Sequence, residues 1–243
     1  ESLGGRSAEA VILAALDDPN LEVRSRAVSA VIGFNDASQT RLVRHLARRL
    51  EQDASTVLRT QIAVAAQNLP GDWTALVHAL ADPSVVTRRA AEASLLARGQ
   101  PEEMALLVQV LQEDARIAIR AARILAAWPK EEATDALINI VESGPTAARS
   151  RAALALGLRG DERAREPLER AANSDLKEVA VASLQALQDL DLLDSLPTLE
   201  AISAHASDIR VREAAENAYN LIARSFLASN AEHPMDVIEG ESK

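Results

Sequence analysis

The chain contains no cysteine, which excludes disulfides, thiolate metal sites and cysteine nucleophiles, and suits a reducing cytoplasm as well as a periplasm. Aromatic residues make up only 2% of it, as Phe34, Trp73, Trp128, Tyr219 and Phe226. Strands favour aromatic and β-branched side chains, so an interior left mainly to Ala and Leu points to closely packed helices. Basic charge is short as well: the formal charge of −10 disfavours a duplex nucleic-acid binder, whose phosphate contacts need a basic surface. No apolar run approaches the roughly 18 to 20 residues that cross a bilayer, and no basic-then-apolar leader opens the chain. Because residue 1 is Glu rather than Met, a processed or excised chain is expected. The cytoplasm is the expected compartment, or the periplasm if a leader has been removed.

Motifs that carry chemistry are scarce. His45, His78, His205 and His233 are dispersed without metal-ligand spacing. The stretch "DLDLLD" at 189 to 194 lacks the central Gly and distal Glu of a calcium loop. No G-x-S-x-G, G-x-G-x-x-G or P-loop occurs. The pairs Glu102/Glu103 and Glu131/Glu132 fall where first turns of helices are expected, and acids there complement the helix dipole. No catalytic residue, cofactor or metal is therefore assigned.

What the chain does have is self-similarity. "RSRA" stands at 24–27 and again at 149–152, and the Ala of that motif opens a column: Ala27, Ile62, Ala91, Ala121, Ala152, Ser183 and Ala215, about 31 residues apart. Four residues earlier run Val23, Leu58, Thr87, Ile117, Ala148, Val179 and Val211, and four later Val31, Ala66, Leu95, Leu125, Leu156, Leu187 and Tyr219. Offsets of this kind mark one apolar helical face, helix B. Upstream, Leu13, Leu46, Val77, Val108, Ile138, Leu168 and Leu199 mark a second helix, A. Turn signals such as "DDPN" and "DPS" separate the two. The expected fold is all-α, a solenoid of about seven antiparallel helix pairs over residues 1–228, since one hairpin cannot bury its own apolar stripe. A flexible acidic tail is expected over 229–243, with Met235 to Ile238 as a candidate linear motif.

Segments such as "LDDPNLEVRSRAVSAVIGF" (16–34) and "ARSRAALALGLRGDERAREPL" (148–168) resemble the L-x-D-P…V-R-x-x-A-x-x-A-L-G pattern of HEAT repeats, in particular the short repeats of phycobilisome-lyase-type proteins. The resemblance covers roughly residues 8–227. Unit two departs from it, lacking the Asp-Pro turn and carrying a longer helix A, and unit four has Ala118 in place of the Arg. The resemblance implies a superhelix whose B helices line the concave surface. It also implies two alternative functions, a bilin lyase or isomerase subunit and a HEAT-like alkyl-DNA glycosylase. Against them stand the missing Cys, the few aromatics and the acidic balance.

Arg24, Arg59, Arg88, Arg149 and Arg212 form a column near the start of helix B, where the dipole disfavours a cation unless it has a partner. Asp18 and Asp82 lie six residues before an Arg, so a structural ladder to turn acids or carbonyls is expected, the alternative being a row of ligand-binding sites. Arg26, Arg120 and Arg151, with Arg123 nearby, fall off the apolar columns, and would form a basic track for an acidic peptide or a phosphate, or else a solvated, salt-bridged face. Trp73 and Trp128 are candidate partner anchors or core residues. "RLVRHLARRL" at 41–50 is the most basic stretch, while Asp175, Glu178, Asp189, Asp191, Asp194, Glu200 and Asp208 face a single Lys177. The expected function is a non-catalytic scaffold or adaptor that holds a protein or peptide partner on its concave face.

Overall fold

The structure, a computed structural model, describes residues 3–33 and 39–232, and the side chains of 8–33 and 39–228. Phe34, His233 and the stretch Met235 to Ile238 lie outside the described residues. Every regular element among the described residues is helical. The chain divides into two compact units, Glu1–Lys130 and Glu131–Lys243.

The first unit holds four hairpins: α1 (Leu3–Leu16) with α2 (Leu21–Ile32), α3 (Gln39–Gln52) with α4 (Thr56–Ala66), α5 (Ala75–His78) with α6 (Val85–Arg98), and α7 (Pro101–Glu113) with α8 (Ala118–Ala126). The second holds three: α9 (Glu132–Ser143) with α10 (Thr146–Arg159), α11 (Arg165–Ala172) with α12 (Lys177–Leu190), and α13 (Leu196–His205) with α14 (Ile209–Glu232). Odd-numbered helices are the A helices and even-numbered the B helices. Within each unit B helices stack in series, α2 on α4, α4 on α6 and α6 on α8, then α10 on α12 and α12 on α14. This is an α-solenoid of helix pairs, with its spine made of the apolar columns of helix B. Ala27, Ile62, Ala91, Ala121, Ala152 and Ala215 are all buried.

Local chemistry sets the hairpin boundaries. Asn20, Ser55 and Ser84 cap α2, α4 and α6, each side-chain oxygen accepting from a backbone N–H of the first turn. α6 and α10 end on Gly99 and Gly160 in the left-handed region (φ 56° and 72°), where a Cβ would cost about 1–2 kcal/mol. α3, at 14 residues, is no longer than α1. The irregular A helix is α5, only four residues long and continued by a 3-10 turn at Ala79–Ala81. Pro70, Gly71 (φ 97°) and Asp72 spend its N-terminal residues on a loop. Two A-helix positions are also one residue off the expected column: Leu107 and Leu137 are buried, while Val108 and Ile138 are half-exposed. α14 runs to Glu232, past the 228/229 boundary expected for the tail.

Candidate functional site

The arginines at the start of the B helices repeat one geometry. Arg24 Nη1 donates to the carbonyls of Asp18 and Pro19 at 2.9 and 3.0 Å. Arg59 Nη1 does the same to Asp53 and Ala54 at 2.7 and 3.3 Å, Arg88 to Asp82 and Pro83 at 2.6 and 2.9 Å, and Arg212 to Ala206 and Ser207 at 2.7 and 3.3 Å. Each guanidinium thus satisfies turn carbonyls of its own hairpin, which offsets the unfavourable dipole at its position. Two of them also reach the next hairpin's turn acid: Arg24 Nη2 donates to Asp53 at 3.3 Å, and Arg59 grips Asp82 through Nε at 2.7 Å and Nη2 at 3.1 Å. That fork and burial set the ionisation of the pair. Burial pushes the Asp82 carboxyl up, but hydrogen bonds from Arg59 and the Ser84 N–H outweigh it and leave its pKa below the ordinary value. The Asp82 hydrogen bond raises Arg59 above its own.

The ladder is not uniform. The Asp18 carboxylate accepts from the Asn20 N–H of its own turn at 2.7 Å, and Arg24 uses only its carbonyl. Between the third and fourth hairpins the link is missing, because Asp114 is taken by Arg116 at 3.2 and 2.8 Å. Arg149 departs again, donating from Nε to Val141 O at 2.7 Å.

The other side of the B helices faces solvent. Arg26 is exposed and pairs with Glu22 at 2.6 Å, one helical turn back. Arg123, also exposed, reaches across to Glu92 of α6 at 3.0 and 2.8 Å. Arg120 is half-exposed and donates to the Arg116 carbonyl at 3.3 Å. Arg151 belongs to the second unit, is half-exposed, and makes no hydrogen bond or ion pair among the described residues. The structure therefore places Arg26, Arg120 and Arg123 on the row of B helices of the first unit and Arg151 on the second. Trp73 and Trp128 are 0% and 2% exposed, so neither is presented to a partner; in an Ala-rich interior both rings serve as packing volume. The basic stretch of α3 meets two acids of the hairpin before it, Glu9 on Arg41 and Asp17 on both His45 and Arg49. In the second unit Lys177 holds Asp208 at 2.6 Å, which draws that carboxyl well below the usual range. No three His, Asp or Glu side chains among the described residues group so as to hold a metal ion, and no described helix is long and apolar enough to cross a membrane.

Residues 104–188 and, overlapping them, 134–220 match the family model for HEAT repeats. Residues 104–220 belong to the HEAT-repeat family. No curated protein matches the sequence. Among solved structures, human deoxyhypusine hydroxylase is similar at 19% identity over 91% of this chain and 98% of that one, with a TM-score of 0.40. YibA of Escherichia coli is similar at 16% over 91% and 83%, with a TM-score of 0.41. A computationally designed armadillo repeat protein for modular peptide recognition is similar at 15% over 86% and 98%, with a TM-score of 0.41.

One polar centre of the hairpin array escapes the column reading. Arg98, at the end of α6, is buried with its side chain 7% exposed, and pairs through Nε with Glu103 of α7 at 2.6 Å. Its Nη atoms cap the chain leaving α4, at Ala66 O (2.9 Å), Leu69 O (2.6 Å) and Gly71 O (2.8 Å). One guanidinium so ties three successive hairpins beside a cleft of about 790 Å³ lined by Leu69, Gly71, Trp73, Arg98, Glu102 and Glu103. Burial raises the Glu103 carboxyl above its ordinary value although Arg98 pulls it down, and Glu103 Oε2 is buried without a hydrogen-bond partner. Glu103 lies in the first turn of α7, as expected of a dipole-complementing acid, and pairs with Arg98 as well. A signal existed: Arg98 and Arg159 interrupt a column that elsewhere holds Leu69, Trp128, Leu190 and Ile222, and a charge in an otherwise buried column needs a built partner. Arg159 makes the corresponding bond, Nε to Thr134 Oγ1 at 2.6 Å, and Thr134 in turn donates to Asp161 at 2.7 Å.

Proposed function

We propose that the chain is a non-catalytic HEAT-repeat adaptor that holds a protein or peptide partner on the exposed face of its B helices. The observation that carries this reading is the division of labour along those helices. The ladder arginines are consumed by turn carbonyls and acids, whereas Arg26, Arg89, Arg120, Arg123 and Arg151 point away from the packing and stabilise no hairpin junction except through the Arg123–Glu92 pair. A row of rigid helices carrying outward side chains that packing does not require is the arrangement repeat proteins use to present a surface. Partner recognition by charge on such a face needs no reacting group.

The test is affinity capture from the native cell with the wild-type chain and with Arg26→Glu/Arg120→Glu/Arg151→Glu. The partner is expected to be lost in the variant at unchanged helicity. Equal capture by both proteins would remove this face from the function.

A further inference from the structure

Within the first unit the exposed face of α4, α6 and α8 is neither purely charged nor purely apolar. Val57 and Val64 project from α4, Val86 from α6 and Ile119 from α8, with Val64 54% and Ile119 69% exposed. Single exposed aliphatics are ordinary on any protein surface. These four recur on one side of three adjacent helices, whose register is tied by the Thr60–Thr87 hydroxyl contact at 2.9 Å and by Arg123 on Glu92. Arginines stand among them. Arg89 is exposed and makes no hydrogen bond or ion pair among the described residues, Arg120 donates only to a backbone carbonyl, and Arg123 is held by Glu92. Glu92 is the one acid in α4, α6 and α8.

We propose that this face docks an acidic peptide segment carrying aliphatic residues, whose carboxylates pair with Arg89 and Arg120 and displace or join Glu92 at Arg123, while its aliphatics cover Val64, Val86 and Ile119. The inference rests on the adaptor reading and names its partner chemistry. Charge complementarity selects the sign: a basic segment would meet three guanidinium groups against one carboxylate. The interleaved aliphatics select a peptide over a bare phosphate backbone, since covering them strengthens the charged hydrogen bonds by excluding water. The second unit offers a contrast. Its outward Leu154 and Leu158 stand on α10, but the following B helices expose Glu178, Asp189, Glu213 and Glu216.

The probe is a random peptide-display library selected against the full chain, with the enriched peptides then synthesised, labelled and titrated. Enriched sequences are expected to combine Asp or Glu with Leu, Ile or Val. Their Kd is expected to rise by tenfold or more in Arg89→Glu/Arg120→Glu, and about fivefold in Val64→Ser/Ile119→Ser, with binding weakening as salt is raised. All four side chains are solvent-facing, so helicity measured alongside is expected to stay constant. Arg89→Gln/Arg120→Gln, which removes the charge without reversing it, is expected to give an intermediate loss. Enrichment of basic or uncharged peptides, or affinities untouched by both double variants, would overturn the inference and leave the adaptor reading standing. Failure to enrich any peptide would count against the adaptor reading itself.

Discussion

Both units fasten one hairpin to the next with polar side chains, and they differ in the close approach of α10 and α12. The first uses guanidinium groups on turn acids and carbonyls, the second Thr134 on Asp161, Arg163 on Asp135, Arg170 on Glu142 and Lys177 on Asp208. In the first, polar side chains cross the junctions: Arg24 to Asp53, Arg59 to Asp82, and Arg98 to the α4 exit and Glu103. In the second, α10 and α12 approach so closely that a Cβ on Gly157 would lie 2.7 Å from Ala186 Cα. There Arg149 and Arg212 satisfy carbonyls of their own hairpins only. Where backbones nearly touch, dispersion and burial hold the stack and the helix face is left small. In the first unit the guanidinium forks add register set by direction. The polar junctions carry more cost when broken, because a buried charge is then left without its partner.

The largest effect is expected at Arg98. Replacing it by Met keeps the aliphatic volume but strands the Glu103 carboxylate and uncaps three carbonyls, for a loss of about 3–5 kcal/mol in urea unfolding. A loss under about 1 kcal/mol would mean that the first unit does not depend on its polar bridge. In the second unit Gly157→Ala is expected to cost about 2 kcal/mol through overpacking against Ala186, despite the better helix propensity of Ala. A neutral or stabilising result would show that α10 and α12 can separate at little cost, erasing the contrast.

The smallest effect is a difference in acid response, followed by residue-resolved hydrogen exchange as pH is lowered from 6 to 3. Hydrogen bonds from Arg163 hold the Asp161 carboxyl below its ordinary value, and Lys177 does the same for Asp208. An acid depressed in the folded state contributes stability above its unfolded pKa, about 3.9, and loses it as pH falls toward its folded pKa. In the first unit Asp82 and Asp114 behave likewise, but Glu103 is raised. Its ionisation opposes folding at neutral pH, and that penalty lifts as pH falls through its folded pKa. Protection in α10–α14 is therefore expected to decay before that in α4–α8. The reverse order would contradict these assignments.

Much of the fold was legible because Ala and Leu recur at the same offsets in helix B, and a buried stripe tolerates no change of phase. Helix A was less legible. Loops of unequal length separate it from helix B, which moved the buried residue to Leu107 and Leu137, and the Pro70–Asp72 loop consumed most of α5. The Arg24 and Arg59 bridges follow from turn acids one repeat on, but the failure at Arg88 depends on Arg116 claiming Asp114, a competition that spacing alone does not reveal. At the candidate site Arg120 and Arg123 stood out for lying off the apolar columns. Val64 and Ile119 did not, because an aliphatic on an Ala-rich helix reads as core until its exposure is known.

Photo-crosslinking probes most directly whether the outward B face of the first unit holds the partner. A photoreactive residue is placed singly at Val64, at Ile119, and at exposed Gln109 on the A helix α7. Covalent adducts with the captured partner are expected from positions 64 and 119 and not from 109. Adducts from 109 alone would place the partner on the A helices and contradict that assignment.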